Sequence, residues 1–167
     1  MTAATAVSAK YAKEIKNNSD LMKLSVEETQ ALSNATQTVG IDMDKLGDIS
    51  KDVSEKIGQM LTTGGGGFED FGDAMGMTKE QTIAAAKEFQ GMAGPDVLQS
   101  MVKQMEDAGV NADQMSFALE GMASDTTKLI PLLTDGGEAL NKLKNKFYEL
   151  KNSFVRSDWG LLKNASG

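Results

Sequence analysis

A short phrase recurs along the chain: Gly40-Ile41-Asp42, Gly76-Met77-Thr78 and Gly109-Val110-Asn111, each followed by an acid two residues past the last position (Asp44, Glu80 and Asp113). Glycine tolerates the left-handed backbone that closes a helix, and Asp, Thr or Asn accepts an unpaired N–H at the start of the next one. The apolar residue between them fits a hydrophobic staple, and the acid lies where the new helix dipole is positive. Three such handovers describe a train of short helices. No segment reads as a strand.

Apolar spacing fills in the helices between these joints. Residues 3–18 read as an Ala- and Lys-containing helix with Val7, Tyr11 and Ile15 four apart on one face, weakened at Asn17-Asn18-Ser19-Asp20. Leu24 precedes the capping box Ser25-Val26-Glu27-Glu28, which opens a helix carrying Ala31, Leu32, Ala35 and Val39. After Asp42, Leu46, Ile49, Val53, Ile57 and Met60 or Leu61 recur three and four apart, an amphipathic stripe. Gly64-Gly65-Gly66-Gly67 then breaks the pattern and is expected as a flexible joint. A phosphate loop needs Gly-Lys-Ser/Thr after its glycines, whereas Phe68-Glu69-Asp70 follows here, and two acids repel a phosphate.

Phe68, Phe71 and Met75 share one side of a short helix, and Thr78 opens a helix that runs through Ile83 and Phe89 to Gly91. Gly94-Pro95-Asp96 restarts the chain, because Pro suits a first helical turn, and Leu98, Met101, Val102 and Met105 form the next stripe. Asn111 caps a helix with Met115, Leu119 and Met122. Ser124 is read as the cap of a segment ending Leu129-Ile130-Pro131-Leu132-Leu133, which Pro131 kinks or shortens.

From Glu138 a longer basic helix places Leu140, Leu143, Phe147, Leu150 and Phe154 at spacings of 3, 4, 3 and 4. That heptad pattern lasts about two heptads and makes these five residues a candidate self-association or partner face, with a C-terminal coiled-coil segment as one use of it. Asp158-Trp159-Gly160 reads as a docking tail or a frayed end. The expected fold class is all-α, a multi-helix array of short amphipathic helices with Gly/Pro joints. Residues 1–23 form an N-terminal helix, 24–137 a helical module with its joint near 64–67, and 138–167 the basic amphipathic helix and tail.

Charge and composition exclude several functions. The net charge of −7 is uneven: residues 24–138 hold 20 acids against seven Lys, a balance of −13, while residues 1–23 carry +2 and residues 139–167 carry +4. An acidic middle argues against sequence-specific nucleic-acid binding. Aromatics are 5 % with one Trp, so the core must draw on aliphatics and 11 Met, a residue that fills irregular gaps. Cys and His are both absent, which removes thiolate sites, two-His zinc motifs and the common nucleophile–base pairs. Charges interrupt every apolar stretch before the ~20 residues needed to cross a bilayer, so membrane contact is not evident in this segment. The first residues lack the basic lead-in of a secretion signal, and the chain is expected to be soluble when made.

The remaining chemical motifs are weak. Asp42-x-Asp44 with Gly47 falls short of a calcium loop, since Leu46 and Val53 occupy ligand positions. The adjacent acids Glu27 and Glu28, Glu69 and Asp70, and Glu106 and Asp107 point to different sides of a helix, which disfavours an acid–base pair. Ser100-Met101-Val102-Lys103 spells Ser-x-x-Lys without the companion Ser-Asp-Asn and Lys-Thr-Gly phrases of the serine penicillin-binding enzymes. No catalytic residue, cofactor site or metal site is expected, and the chain reads as an interaction or structural protein.

Several phrases together resemble bacteriophage tail length tape-measure proteins. Ser25-Val26-Glu27-Glu28 with Gln30-Ala31-Leu32, Ala35, Val39-Gly40-Ile41 and Leu46 is similar to a capped helix in that family that precedes a Gly-apolar turn. Phe68, Phe71-Gly72 and Gly76-Met77 resemble its next element. Leu119-Glu120-Gly121 followed by Leu129-Ile130-Pro131-Leu132-Leu133-Thr134-Asp135-Gly136-Gly137 is similar to its closing phrase, so that the resemblance spans about residues 20–143. Three departures stand beside it: Glu120 takes the place of the family's Phe before Gly121, the glycine run at 64–67 is unusually dense, and family members are far longer.

The resemblance implies a virion protein inside the tail tube that sets tube length during assembly and leaves with the DNA during infection. Tail-tube and tail-tip proteins would be its partners, and it would be a homo-oligomer inside the tube. Its places would be the tail lumen and, during assembly, the host cytoplasm. Two alternatives are a helical adaptor or scaffold, and an ejected virion protein without a ruler role. A wall-cleaving domain ranks below both.

Overall fold

The computed structural model describes residues 3–165, with side-chain surroundings for residues 8–157. Among the described residues the chain is helical with no strand: α1 (Ala3–Met22), α2 (Val26–Gln37), α3 (Met43–Thr63), α4 (Glu69–Ala74), α5 (Lys79–Phe89), α6 (Gly94–Asp107), α7 (Ala112–Met122), α8 (Ile130–Leu133) and α9 (Glu138–Ala165). Short 3-10 turns at Thr126–Leu129 and Asp135–Gly137 flank α8. The expected all-α array is therefore the fold. Pro131 sits in the first turn of a four-residue helix, where its missing N–H costs nothing.

The recurring phrase builds one joint repeatedly. Gly40, Gly76 and Gly109 take left-handed φ values of 82°, 67° and 71°. The N–H of the next residue reaches back five positions in each: Ile41 to Thr36 O at 3.1 Å, Met77 to Gly72 O at 2.8 Å and Val110 to Met105 O at 2.9 Å. The glycine N–H itself bonds the carbonyl three back, so all three are Schellman motifs. The caps then close as the sequence demands, with Asp42, Thr78 and Asn111 side chains accepting from the N–H of Lys45, Gln81 and Gln114 at 2.8, 3.2 and 2.9 Å.

A fourth copy hides at Lys23-Leu24-Ser25. Lys23 has φ 58°, the Leu24 N–H bonds Ser19 O at 3.1 Å, and Ser25 closes a full capping box with Glu28. The consequence reaches into the core. Counting six, nine, ten and thirteen residues beyond the left-handed residue gives a buried set in every copy: Thr29, Leu32, Ser33, Thr36; Leu46, Ile49, Ser50, Val53; Thr82, Ala85, Ala86, Phe89; and Met115, Ala118, Leu119, Met122. The first of each set is the helix position that a hydrophobic staple turns towards the preceding chain, and the other three follow at helical period. Each joint thus decides which face of the next helix points inward.

These faces converge on α3, which packs against α1, α2, α5, α6 and α7. One hydrophobic cluster joins the α3 stripe, six buried methionines that include Met22 of α1 and Met60 of α3, and Leu140 of α9, so residues from all three sequence segments share it. Close crossings use small residues, because a Cβ on Gly47 of α3 would overlap the Asn18 side chain of α1. Phe68, Phe71 and Phe89 form an aromatic trio with ring centroids 5.3–6.3 Å apart.

Several local expectations change. The polar run Asn17-Asn18-Ser19-Asp20 does not end α1, because its groups are paired: Asn18 Nδ2 donates to Glu14 O at 3.0 Å and Asp44 Oδ1 at 2.8 Å, and Ser19 Oγ to Lys16 O at 2.8 Å. Ile15 is buried but Tyr11 is exposed, and Val7 lies outside the residues whose side chains are described. Ser124 is not a cap; Asp125, left-handed at φ 67°, precedes the 3-10 turn and is held by Lys45 at 3.1 Å and Lys128 at 3.2 Å. The run Gly64–Gly67 is a packed turn: Gly64 closes α3 at φ 71°, and a Cβ on Gly67 would overlap the Gly121 carbonyl of α7.

Candidate functional site

The acids singled out in the sequence serve local structure. Asp42 caps α3 and Asp44 holds Asn18, while no group of three metal-ligating side chains occurs among the described residues. Glu106 accepts from the Asp135 N–H at 2.9 Å, and Asp107 binds Lys103 at 2.7 Å. That same lysine is therefore turned away from Ser100, whose Oγ accepts from Gln104 Nε2 at 3.2 Å. Asp70 is the carboxyl whose environment opposes ionisation: burial pushes its pKa up, and Asp73 and Glu69 add to the shift. Its carboxylate faces the Gly121 backbone.

The candidate interaction face on α9 divides in two. α9 packs against α2 and α8, which buries Leu140, partly buries Leu143 and half-buries Phe147. Leu150 and Phe154 remain 63 % and 68 % exposed, beside Val155 at 46 %. Lys151 meets Glu27 at 3.3 Å near the start of α2, and residues 152–157 beyond that pair are exposed. Tyr148 lies at the same crossing, where burial raises its pKa and Glu28 and Glu27 raise it further. Glu28 is held below its ordinary value by hydrogen bonds from the Ser25 backbone and hydroxyl, with Lys144 assisting and burial opposing. The side chains of Asp158-Trp159-Gly160 lie outside the described residues.

Where α9 turns over α2, a cleft of about 170 Å³ opens between α2, α6, α8 and α9. Leu32, Leu46, Leu98, Leu132, Leu133 and Leu140 line it, and Glu28, Asp96, Gln99, Asn141 and Lys144 stand around it. Gln99 Nε2 donates to Leu133 O at 2.8 Å, fixing one wall. Sequence reasoning missed this cleft because its walls come from elements more than 100 residues apart, and each leucine alone reads as ordinary core. No helix among the described residues is long and apolar enough to cross a membrane. No family model, curated protein or solved structure matches the chain.

Proposed function

We propose that the chain is a structural virion protein of the phage tail tape-measure type, acting in tail assembly and length determination and leaving the tail with the DNA. The phrase resemblance over about residues 20–143 carries this reading, above all Leu129-Ile130-Pro131-Leu132-Leu133 followed by Gly136-Gly137. The joints supply a mechanism. α2, α4, α5, α6 and α7 are each 14 residues or shorter, and isolated helices below ~12–15 residues are marginal in water. Pulled out of the shared core, they lose their reason to stay helical, which suits passage through a narrow tube.

The shared core around α3 favours a second reading, a helical adaptor or an ejected virion protein without a ruler role, since a ruler works extended. Wholly helical, these 167 residues would account for ~250 Å of a ruler at ~1.5 Å per residue. Cryo-electron microscopy of the particles whose genome encodes the chain tests the first reading: density on the tail axis is the expected result. Absence from the tail overturns it. A reading frame that continues far beyond these residues beside tail-tube genes would favour the ruler over the adaptor.

A further inference from the structure

Among the described residues two features lack a counterpart: the exposed distal part of α9, with Leu150, Phe154 and Val155, and the open leucine-lined cleft. We propose that the distal α9 of one copy seats Phe154 in the cleft of a second copy, joining copies head to tail. The contact requires nothing of a phage tail and stands or falls separately from that reading.

Size comes first. A cleft of about 170 Å³ is on the scale of apolar cavities of ~150 Å³ that take one benzene ring, so a single Phe side chain is the appropriate guest. Its own chain cannot supply that ring. α9 walls the cleft through Leu140, Asn141 and Lys144, and Phe154 sits fourteen residues past Leu140 on the same helix, ~21 Å further along at ~1.5 Å per residue. Phe154 can therefore enter only the cleft of another molecule.

Charge points the same way. Glu28 and Asp96 stand at the cleft against the single cation Lys144, whereas Phe154 lies two residues before Arg156, which makes no ion pair among the described residues. Asp96 is exposed at the cleft and makes no ion pair among the described residues, which leaves it available to Arg156 two residues beyond the inserted ring. An aromatic anchor in an apolar pocket with an arginine at its edge is the usual make-up of an interface hot spot.

Pairing of α9 with α9 is disfavoured, because Leu140 and Leu143 are already packed in the body. Of the five heptad positions only Leu150 and Phe154 stay exposed among the described residues, short of the three to four heptads that sustain a coiled coil. The proposed contact joins unlike surfaces, so each bound pair still offers one open cleft and one free arm, and growth continues into a ring or a row.

Sedimentation velocity on the full chain tests this. The wild type should show a sedimentation coefficient that rises between about 10 µM and about 1 mM, the range of a small specific contact. Phe154→Asp removes the ring, and Asn141→Trp fills the cleft from an exposed position on α9. Each variant alone should associate at least about tenfold more weakly, with unchanged helix content by circular dichroism. An equimolar mixture of the two should form a discrete dimer and nothing larger, since one intact arm and one intact cleft remain. Arg156→Glu should weaken association, and Asp96→Arg in the same chain should restore it. A wild type that stays monomeric at about 1 mM overturns the proposal. So does strong self-association of Asn141→Trp together with its loss in Phe154→Asp, which would mean that arms pair with arms.

Discussion

Replacing Gly109 by Ala isolates the left-handed backbone as a source of stability. Gly109 has φ 71°, and a Cβ built there meets no atom within 4 Å. Steric overlap is therefore absent, and the conformational cost stands alone. An L-residue held left-handed loses about 1–2 kcal/mol, while the stiffer unfolded chain of Ala offsets about 0.4–1 kcal/mol. The net loss is about 0.5–1 kcal/mol, or a fall in Tm of about 1–4 °C for a chain of this size. Lys23→Gly is the mirror experiment, because Lys23 bears the same strain at φ 58°. It should gain about 0.5–1 kcal/mol by the same arithmetic. Gly67→Ala provides the contrast: its Cβ would overlap the Gly121 carbonyl, so the cost there is overpacking, about 1–3 kcal/mol or more. Urea unfolding followed by far-UV circular dichroism gives the order, read as midpoint shifts at constant slope. If Lys23→Gly lowers the midpoint, or Gly109→Ala leaves it unmoved, the joints are not held by their left-handed residues.

Three further outcomes are expected. Thr78→Ala removes the side chain that accepts the Gln81 N–H at 3.2 Å and should cost about 1 kcal/mol in the same assay. Ser33→Ala should be neutral or stabilising in thermal unfolding, because the Ser33 hydroxyl is buried without a hydrogen-bond partner among the described residues and its removal relieves a desolvated group. The acid side carries two opposite signs. Glu28 has a lowered pKa in the fold, so its contribution is present above the unfolded carboxylate value and disappears as pH falls through the folded one. Asp70 has a raised pKa, so it weakens the fold once pH rises above its unfolded value, and increasingly up to the folded one. Glu28→Gln should therefore flatten the acid limb of a plot of Tm against pH, whereas Asp70→Asn should raise Tm at neutral pH and lose that advantage in acid.

Local rules made most of the helices legible. Gly40, Gly76 and Gly109 advertise left-handed positions, and the residues two further on advertise caps, so both sides of each joint are written within six residues. At Lys23 only the cap, Ser25, is marked, because lysine has no preference for the left-handed conformation; Met22 and Thr29 on either side of it are buried. α1 outlasts its polar run for a similar reason, since Asn18 is satisfied by Asp44, a residue 26 positions away. Gly67 answers to Gly121 across the fold, a demand invisible beside a run of neighbouring glycines. On α9 the heptad spacing is plain in sequence, but which of its members the body would take was decided by the placement of α2 and α8. The leucine-lined cleft was the least legible feature, for it belongs to no single segment.

The four joints lie 17, 36 and 33 residues apart, yet the same offsets beyond each of them are buried. A continuous helix would carry any inserted residue forward as a rotation of about 100°, turning every later side chain off its face. Here the rotation stops at the next joint, which sets the angular phase afresh. Segment length is free to drift while phase is not, so insertions and deletions within one helix remain local events, and such a chain can be lengthened piece by piece without rewriting the pieces that follow.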